Sequence, residues 1–459
     1  MNINNGHYEQ KIAYARASLW APFYAVGMTV RIQGEVPTES LKVALRKLRI
    51  LYPPLGSRVR MEKDGTAWLT TDGVGDFPLE VRSRISDGDW AKIFLEQESI
   101  PFAFGCGPVA RFFLLRGDQV SDLVAIIPHV ICDGFSMTYV MCDIVALLND
   151  PNRQVTQPKP PMPVSWENIQ HFPQDNLLLR VMARVFNHTY PGRRMVLHQD
   201  EYEKLHQLYW ARQKNGLLTS ELSSPETSAL AKRCKQHGIC ITGALLAAFL
   251  LAQAEIQSET QISRSEISVA VNIRDRLLQP PDRVMGIFAS SVDLKLRSIS
   301  GKSFWELARY AHTQIHKSIN DRSQVLLPLV LEDLDPSIVD AVVAAVSTDE
   351  WSPEFRLLTR FIKIKGEARC LNVSNIGRID LPELGEPYHL ETILPFPPLV
   401  PGGGMSLNVL TINGKMNIIL KYRLSELDCA SVLSIRDRAL SYLSTAMQSA
   451  GPESCPQQI

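Results

Sequence analysis

The sequence predicts an α/β protein made of two sandwich-like lobes that face each other across a cleft. Strand and helix patterns alternate in both halves of the chain, which is typical of α/β folds. The length of 459 residues exceeds what one hydrophobic core usually supports. A proline-rich stretch at residues 151–164 separates the two halves. We therefore assign residues 1–164 to an N-terminal lobe, with the proline-rich connection at its end, and residues 165–459 to a C-terminal lobe.

The N-terminal lobe begins with an alternating segment, "VGMTVRIQG", which predicts the first core strand. A helix follows, with Thr38 or Ser40 as its candidate cap and a pair of prolines that ends it. Two strands that end in glycine-containing turns come next, "AWLTTDG" and "PVARFFLLRGD". The strand "DLVAIIP" is continuously apolar, so we expect neighbours on both of its faces. After Gly134, an apolar run predicts a buried helix that ends at residues 149–151.

Two helices open the regular part of the C-terminal lobe. Ser224 is placed as the N-cap of the first, with Pro225 at its first position and Gly238 just past its end. The second, "TGALLAAFLLAQAEI", has Thr242 as its cap and is apolar on nearly all sides, so we expect it at the centre of the lobe. Five strands are predicted next: "ISVAVNIR", "IFASSVDLKL", "CLNVSNIG", "LNVLTI" and "KMNIILKYR". One helix, "SFWELARYAHTQIHKSI", lies between the second and third of these strands, and another, "SELDCASVLSIRDRALSYLSTAM", follows the last. Asn413–Lys415 predict a hairpin turn between the last two strands.

Charge and cysteine content argue against several classes of protein. Apolar residues make up 45% of the chain and charged residues 21%, which is enough for a large core. Basic and acidic residues balance at 48 each, so we expect no attraction to nucleic acid or to an anionic membrane. The eight cysteines include no CxxC pair, which favours reduced, buried thiols over disulfides or zinc ligands.

No apolar run approaches the roughly 18 residues that a membrane span needs. The segment Ser18–Val30 loosely resembles a secretory leader, but Pro22 and Gly27 interrupt it and an alternating strand continues from it. We therefore expect a cytoplasmic protein. Since a chain with two lobes can complete a cleft without a partner, we also expect a monomer.

The stretch "IIPHVICDGFSM" places a titratable side chain at a turn between a core strand and a buried helix. One interpretation is structural: His129 is a core histidine bonded to a backbone carbonyl, and Asp133 and Gly134 form a turn that caps the helix. The other interpretation is catalytic, with His129 as a base. A metal site is disfavoured because no second ligand lies at suitable spacing. Neither Cys132 nor Ser136 lies in a recognisable nucleophile motif.

The segment "PHVICDGFS" strongly resembles the HHxxxDG motif of the chloramphenicol acetyltransferase-like superfamily. This superfamily includes nonribosomal peptide condensation domains, alcohol O-acetyltransferases, plant acyl-CoA-dependent acyltransferases and polyketide-associated acyltransferases. The second histidine of the motif falls on His129, and Pro128 replaces the first. Five other landmarks of these enzymes are resembled in the same order: "ALRKLRILYPPLGSRV", "GPVARFFLLRGD", "HGICITGALLAAFLLA", "VNIRDRL" with "MGIFASSVDL", and "LNVSNIG" with "GGGMSLNVLTINGKMNIILKYR". The DFGWG signature of the plant branch is absent from the sequence.

The resemblance implies two chloramphenicol acetyltransferase-like α/β sandwich lobes arranged in a V, with a central tunnel and the motif histidine at its middle. A thioester donor, either acyl-CoA or a phosphopantetheinyl carrier protein, would enter from one face. A small-molecule alcohol or amine would enter from the other as the acceptor. The implied role of His129 is that of the general base, with no bound cofactor and no metal.

The resemblance also implies a support for the motif turn. In the family the motif aspartate pairs with an arginine, so Asp133 would pair with Arg274 of "VNIRDRL", with Arg276 as the rival in the same segment. A buried carboxylate that loses its cation destabilises a fold by several kcal/mol. Gly134 would supply either a positive φ or a close approach of the backbone.

The donor that stabilises the oxyanion is less evident from the sequence. Such a donor must lie about 3 Å from the developing negative charge. Polar residues on the apolar late strands are the candidates, and we select Ser374 from a set that also contains Asn375, Ser290 and Ser291. The structural alternative for each serine is a hydroxyl that bonds within the core.

Three functions fit these observations. The leading hypothesis is an acyltransferase of secondary metabolism that moves an acyl group from a thioester to a hydroxyl and gives an ester. An alternative is a stand-alone condensation enzyme that forms an amide; Pro128 and the pattern of the late strands favour the hydroxyl acceptor. The third is a non-catalytic homologue that docks thioesters or acts as a scaffold. The joint presence of His129, Asp133 and Gly134 is evidence against the third.

Overall fold

A computed structural model gives the fold of the chain. Its description covers residues 8–12, 16–159, 161–162, 164–165, 167–169, 176–190, 195–257, 266–296, 299, 301–320, 329, 333–350, 369–381 and 384–448. For residues 176–179, 182 and 369 the description is limited to the backbone.

The strands of the described chain form three sheets. In chain order they are β1 (Glu9–Ile12), β2 (Ala25–Gln33), β3 (Arg58–Met61), β4 (Ala67–Thr70), β5 (Leu79–Ser83), β6 (Arg111–Arg116), β7 (Val120–Pro128), β8 (Asn215–Leu222), β9 (Glu266–Asn272), β10 (Ala289–Leu294), β11 (Arg369–Ile379), β12 (His389–Phe396), β13 (Met405–Ile412) and β14 (Lys415–Arg423). A five-stranded sheet has the order β12-β2-β7-β6-β5 and a six-stranded sheet the order β10-β9-β11-β13-β14-β8. A small antiparallel sheet, β1-β4-β3, lies beside them.

Helices cover these sheets and connect their strands. In chain order they are α1 (Arg16–Leu19), α2 (Thr38–Leu51), α3 (Asp89–Gln97), α4 (Gly134–Asn149), α5 (Asn176–Thr189), α6 (Gln199–Arg212), α7 (Ser224–Gln236), α8 (Ile241–Ile256), α9 (Phe304–Asn320), α10 (Pro336–Thr348) and α11 (Cys429–Gln448). None of the described helices is long and apolar enough to cross a bilayer by itself. The pair α7 and α8 meets that test only when counted together, and its two members are bent by 102°.

The N-terminal lobe buries the strand that carries the motif. β7 lies between β2 and β6, antiparallel to both, and every residue from Ser121 to Pro128 is buried. This agrees with its continuously apolar sequence, since both faces of the strand are covered. The helix α2 places Leu41, Leu45 and Leu48 in the same core. Each buried leucine contributes about 1.5–3 kcal/mol.

The C-terminal lobe is organised around α8. All residues from Gly243 to Leu250 are buried, as the uniformly apolar sequence predicts. Gly243 lies against the carbonyl oxygen of Ala308 on α9, where an added Cβ would approach to 2.8 Å. The absence of a side chain therefore lets α9 pack closely on α8.

Several elements that follow residue 165 belong structurally to the N-terminal lobe, and β12 and α10 are two of them. β12 pairs antiparallel with β2, in a register that runs from His389 opposite Gln33 to Phe396 opposite Gly27. α10 is tied to the same lobe by a buried ion pair between Asp340 and Arg16, at 2.7 Å. The division into residues 1–164 and 165–459 therefore does not separate the two sheets completely.

Helix starts differ slightly from the predicted caps. α2 begins at Thr38 after Pro37, with no side-chain cap from either candidate. α7 begins at Ser224, so the cap is Ser223, whose N–H donates to the Glu226 carboxylate at 2.8 Å. α8 begins after Cys240 rather than Thr242. The Cys240 N–H donates to Nδ1 of His312 at 3.2 Å, so a side chain on α9 satisfies this donor.

A buried ion pair joins the six-stranded sheet to a helix of the N-terminal lobe, and it makes a testable contribution to stability. Nζ of Lys421 on β14 lies 2.6 Å from a Glu98 carboxylate oxygen at the end of α3, and both side chains are at most 3% exposed. Lys421→Met leaves that carboxylate buried without its cation, so we expect the free energy of unfolding to fall by about 3–5 kcal/mol in urea titrations.

The matched control lies on the same strand. Lys415 pairs with Glu221, and both side chains are more than two-fifths exposed. Lys415→Met should therefore change the free energy of unfolding by at most about 1 kcal/mol. Equal losses in the two variants would contradict the importance of the buried pair.

Candidate active site

The motif histidine lies where the central strand of the N-terminal lobe ends. β7 stops at Pro128, and a single 3-10 turn, His129–Ile131, leads to the start of α4. The His129 N–H donates to the Tyr24 carbonyl at 2.9 Å, and the Tyr24 ring meets the imidazole edge-on with centroids 5.7 Å apart. These contacts fix the backbone and one side of the ring, which remains partly exposed.

A backbone carbonyl selects the tautomer of His129. Nδ1 lies 2.6 Å from the carbonyl oxygen of Cys132. A carbonyl oxygen can only accept, so Nδ1 carries the proton and Nε2 of the neutral ring holds a free lone pair. Burial lowers the pKa of His129, opposed by the Cys132 carbonyl and by the charge of Asp133. The imidazole is therefore neutral at neutral pH and can accept a proton through Nε2.

Asp133 accepts four hydrogen bonds from both lobes. It caps α4 by accepting from the Ser136 N–H at 2.9 Å. Arg274 donates to both of its oxygens, from Nη1 to Oδ2 at 2.8 Å and from Nη2 to Oδ1 at 2.9 Å. The Phe288 N–H adds a fourth bond at 2.8 Å. Both charged side chains are at most 7% exposed, so this is a buried bidentate ion pair.

The rival arginine has a different partner. Arg276 donates to the Ile319 carbonyl at the end of α9, at 3.0 Å. Arg274 and Arg276 are the two ends of one 3-10 turn, Arg274–Arg276, so their side chains leave it in different directions. Of the two candidates from the sequence, the structure brings Arg274 to Asp133.

Ser136 forms a second link between the lobes. Its hydroxyl donates to the Gly286 carbonyl at 2.9 Å and accepts from the Gly286 N–H and from Arg274, each at 3.2 Å. The Arg274 guanidinium also lies over the Phe288 ring, 4.7 Å from its centroid. The motif turn is therefore held by the segment that leads into β10 of the C-terminal lobe.

Gly134 permits a close contact rather than an unusual backbone angle. It is the first residue of α4, and its φ is not positive. A Cβ at this position would come within 2.8 Å of Cδ1 of Ile376, on β11 of the C-terminal lobe. Of its two expected roles, close approach is the one that the geometry supports.

Ser374 lies on the same strand as that contact. In β11 it pairs with Asn408 of β13 and is two residues from Ile376, which contacts the motif turn. Its side chain is half-buried, and its hydroxyl forms no hydrogen bond to any residue that the structure describes. Among the described residues nothing occupies this hydroxyl, so it remains available to a ligand.

The other oxyanion candidates are less suitably placed. Asn375 donates to the Thr242 hydroxyl at 3.2 Å, on the helix-covered side of the sheet. Ser290 and Ser291 lie on β10, the edge strand, where Ser290 is buried and Ser291 is exposed. Ser374 therefore remains the candidate.

Two alternative chemistries have little support. Burial raises the pKa of the Cys132 thiol well above its ordinary value, so this side chain is a poor nucleophile. Within the described ranges, no group of three or more potential ligand side chains could hold a metal ion. The expected absence of a metal site remains a prediction for the whole chain.

Ser136, the Phe288 N–H and Ile376 were not selected from the sequence. The sequence predicted that Asp133 caps the helix, but it gave no sign that the Ser136 hydroxyl bonds Gly286, 150 residues away. The other two groups come from segments more than 150 residues away, and no local signal links them to the motif.

Comparisons with known proteins place this geometry among known folds. Residues 216–393, from β8 to β12, match the family model PapA_C, described as the phthiocerol/phthiodiolone dimycocerosyl transferase C-terminus. The phosphinothricin tripeptide synthetase PhsC of Streptomyces viridochromogenes is 22% identical over 324 residues, which are 64% of this chain and 28% of the synthetase. The nonribosomal peptide synthetase kk1B of Curvularia clavata is 28% identical over 144 residues, 29% of this chain and 1% of the relative. The chain thus spans only a small part of these curated relatives.

Solved structures match nearly the whole chain. The trichothecene 15-O-acetyltransferase TRI3 of Fusarium sporotrichioides superposes with a TM-score of 0.66 at 12% identity, covering 97% of this chain and 96% of that one. The condensation domain of the Monacolin K polyketide synthase MokA gives 0.63 at 11% identity, with 97% and 98% covered. Polyketide synthase associated protein 5 of Mycobacterium tuberculosis gives 0.59 at 14% identity, with 96% and 98% covered. The chain therefore has the two-lobed fold shared by condensation domains and chloramphenicol acetyltransferase-like acyltransferases, which confirms the fold that the sequence resemblance implied.

Proposed function

We propose that this chain is an acyltransferase of secondary metabolism that moves an acyl group from a thioester to a hydroxyl, with His129 as the general base. The donor is the thioester of coenzyme A or of a phosphopantetheinyl carrier protein, and the product is an ester. One observation carries the proposal: the contact between Nδ1 of His129 and the Cys132 carbonyl leaves Nε2 as the basic nitrogen.

The reaction needs a single base because a thioester is already activated. Nε2 of His129 takes the hydroxyl proton while the acceptor oxygen attacks the thioester carbonyl carbon. The tetrahedral intermediate then collapses, the carbon–sulfur bond breaks, and the imidazolium returns the proton to the leaving thiolate. Proton transfer of this kind contributes about 10²–10⁴-fold. Holding the two substrates in one geometry can contribute about 7–11 kcal/mol more.

An acyl-enzyme is not part of this proposal. The Cys132 thiol is fully buried with a raised pKa, and the Ser136 hydroxyl is engaged by Gly286 and Arg274. Direct transfer between the two substrates avoids the need for either. Asp133 and Arg274 act as positioning residues, because they hold the turn that carries His129.

Ser374 is the proposed donor to the oxyanion. Its hydroxyl lacks a partner among the described residues and lies two positions from the Ile376 contact with the motif turn. A hydrogen-bond donor of this kind is typically worth about 10²–10³ in kcat.

Amide formation is the second candidate, and the curated relatives favour it. Both are named as peptide synthetases, and their matched segments cover up to 64% of this chain. The same base could take a proton from an amine. Pro128 at the first histidine position of the motif and the TRI3 structure, named as an O-acetyltransferase, favour the hydroxyl acceptor. A non-catalytic docking role would require none of the features that orient Nε2.

The base hypothesis predicts a specific loss. His129→Ala should lower kcat/KM by about 10²–10⁴-fold while the chain stays folded. The measurement is a mass-spectrometric screen of acyl-CoAs and acyl carrier proteins against alcohols and amines, followed by kinetics on the pair that reacts. His389→Ala is the matched control, because that histidine is more than half exposed on β12.

The pH dependence follows from the sign of the pKa shift. A base works only when neutral, so kcat/KM should fall as the pH drops through the pKa of His129. Because burial lowers that pKa, the fall should occur below the ordinary value of about 6.5. Equal product from wild type and His129→Ala would refute the base. No turnover by the wild type, together with unchanged ligand binding in His129→Ala, would favour the docking role.

The positioning role of Arg274 gives a separate prediction. Arg274→Ala leaves Asp133 buried without its cation, so the free energy of unfolding should fall by about 3–5 kcal/mol in urea. Because the turn then shifts, kcat should fall about 10²-fold, with a much smaller change in KM.

Arg276→Ala is the control, since Arg276 bonds a backbone carbonyl and not the motif turn. It should keep the kcat of the wild type. Loss of kcat in both variants, or in neither, would contradict the assignment of Arg274.

A further inference from the structure

A short segment of the C-terminal half runs along α4 of the N-terminal lobe. It comprises residues 283–288, which lead into β10, and we call it the strap. Its side chains enter both cores: Met285 packs in the core of the N-terminal lobe, whereas Val284 and Phe288 pack in the core around α8. The strap therefore lies between the two lobes and contacts both.

The strap contacts one face of α4. Residues 137–148 of this helix are all buried except Tyr139 and Asp143. These two and Ser136 are three and four residues apart, a spacing that places side chains on the same face of a helix. All three contact the strap, Ser136 through the hydrogen bonds described above and the other two through Arg283.

Arg283 is held at two points. Its Nη2 lies 3.3 Å from Oδ1 of Asp143, and its guanidinium lies over the ring of Tyr139, 4.8 Å from the centroid. The Tyr52 hydroxyl donates to the other oxygen of Asp143 at 2.5 Å, and the Asp143 side chain is only 15% exposed. The carboxylate is therefore already oriented by the helix and by Tyr52. Its pairing with Arg283 defines where the strap begins on α4.

The contacts run in opposite order along the two segments. Phe288, at the end of the strap, donates to Asp133, and Arg283, at its beginning, reaches Asp143. From Asp133 to Asp143 the helix rises about 15 Å. The five residue steps of the strap span at most about 17 Å, so the two lengths are similar. Residues 284–287 are all buried or half-buried, so they form no exposed loop that could absorb a shift at one end.

The end of the strap supports the motif turn. The Phe288 N–H supplies one of the four hydrogen bonds that Asp133 accepts. The carbonyl that selects the tautomer of His129 belongs to the preceding residue, Cys132. A displaced strap would remove a hydrogen bond from Asp133 and would loosen the orientation of the imidazole.

We propose that Arg283 is a positioning residue for the acyl transfer. By fixing the start of the strap on α4, it keeps the Phe288 N–H on Asp133, and through that contact it keeps the His129 imidazole in its reactive orientation. The inference rests on the proposed function and adds a residue that acts from about 15 Å along the helix. An ion pair as exposed as this one contributes little to stability, so its effect is on kcat.

The first test replaces Arg283. Arg283→Gln removes the cation, so kcat should fall about tenfold with little change in KM, because the base is displaced while the substrate contacts remain. Arg283→Lys keeps a positive charge near Asp143 and Tyr139 and should retain most of the kcat. Tm should change little in either variant, since the Arg283 side chain is 45% exposed.

Arg438→Gln is the matched control. Arg438 on α11 is 49% exposed, pairs with Glu255 of α8 at 2.5 Å and lies 4.8 Å from the centroid of the Tyr442 ring. The substitution therefore removes the same two kinds of contact, an ion pair and a cation–ring contact, at a place that does not touch the strap. It should keep the kcat of the wild type.

A double-mutant cycle separates positioning from general stabilisation. Ser136 and Asp143 are seven residues apart, about 10 Å along α4, so independent effects at these two anchors would multiply. If both act through the strap, kcat of the double variant, Ser136→Ala with Arg283→Gln, should equal that of the less active single variant. Losses in kcat that multiply would contradict the strap as the shared element.

Amide hydrogen exchange reports on the strap without any substrate. In peptides that cover residues 284–290, exchange should be about tenfold faster in Arg283→Gln than in the wild type and unchanged in Arg438→Gln. His129→Ala should leave this exchange unchanged, so failure of the proposed base does not affect the measurement. If no turnover is found, exchange alone decides whether Arg283 holds the strap. Equal exchange in wild type and Arg283→Gln, or faster exchange with an unchanged kcat, would overturn the inference.

Discussion

The ion pair between Asp133 and Arg274 is the constraint on which the candidate site depends. It joins a residue of the motif turn to a residue of the other lobe and is almost fully buried. A carboxylate in such surroundings is tolerated only if its oxygens are fully matched, and here four donors match them. Three of the four come from the C-terminal lobe. The hydrogen bonds of the turn are therefore complete only when the lobes are packed together. The geometry of the site consequently forms in the same step in which the two lobes assemble.

The proposed base is oriented through this pair without touching it. Cys132, whose carbonyl selects the tautomer of His129, is the residue immediately before Asp133. A displacement of the carboxylate would move that carbonyl, and the imidazole with it. A backbone carbonyl takes the orienting role that a carboxylate has in a serine protease triad. It adds no negative charge directly to the ring, and burial can then keep the pKa of His129 low.

Much of this was predictable from the sequence, for reasons that are local. His129, Asp133 and Gly134 lie within six residues of one another, a continuously apolar run identified β7, and an apolar strand pattern identified β13. The features that were not predicted depend on contacts between residues far apart in the sequence. No sequence signal joins β12 to β2, because their contact closes a loop of more than 350 residues. The cap of α7 was wrong by one residue because Ser223 and Ser224 are equally good candidates. The partners of Ser136 lie about 150 residues away.

β12 belongs to the C-terminal half of the sequence but pairs in the sheet of the N-terminal lobe, and this has a consequence for engineering the chain. This strand leaves the C-terminal half, completes the edge of the other sheet, and returns to form β13. The N-terminal half expressed alone would lack the edge strand of its five-stranded sheet. In a chimera joined at the proline-rich connection, β12 from one parent would pair with β2 from the other. A recombinant that keeps residues 389–396 with the N-terminal parent preserves each native edge. Substrate specificity can then be exchanged between the parents while the pairing of β12 with β2 stays native.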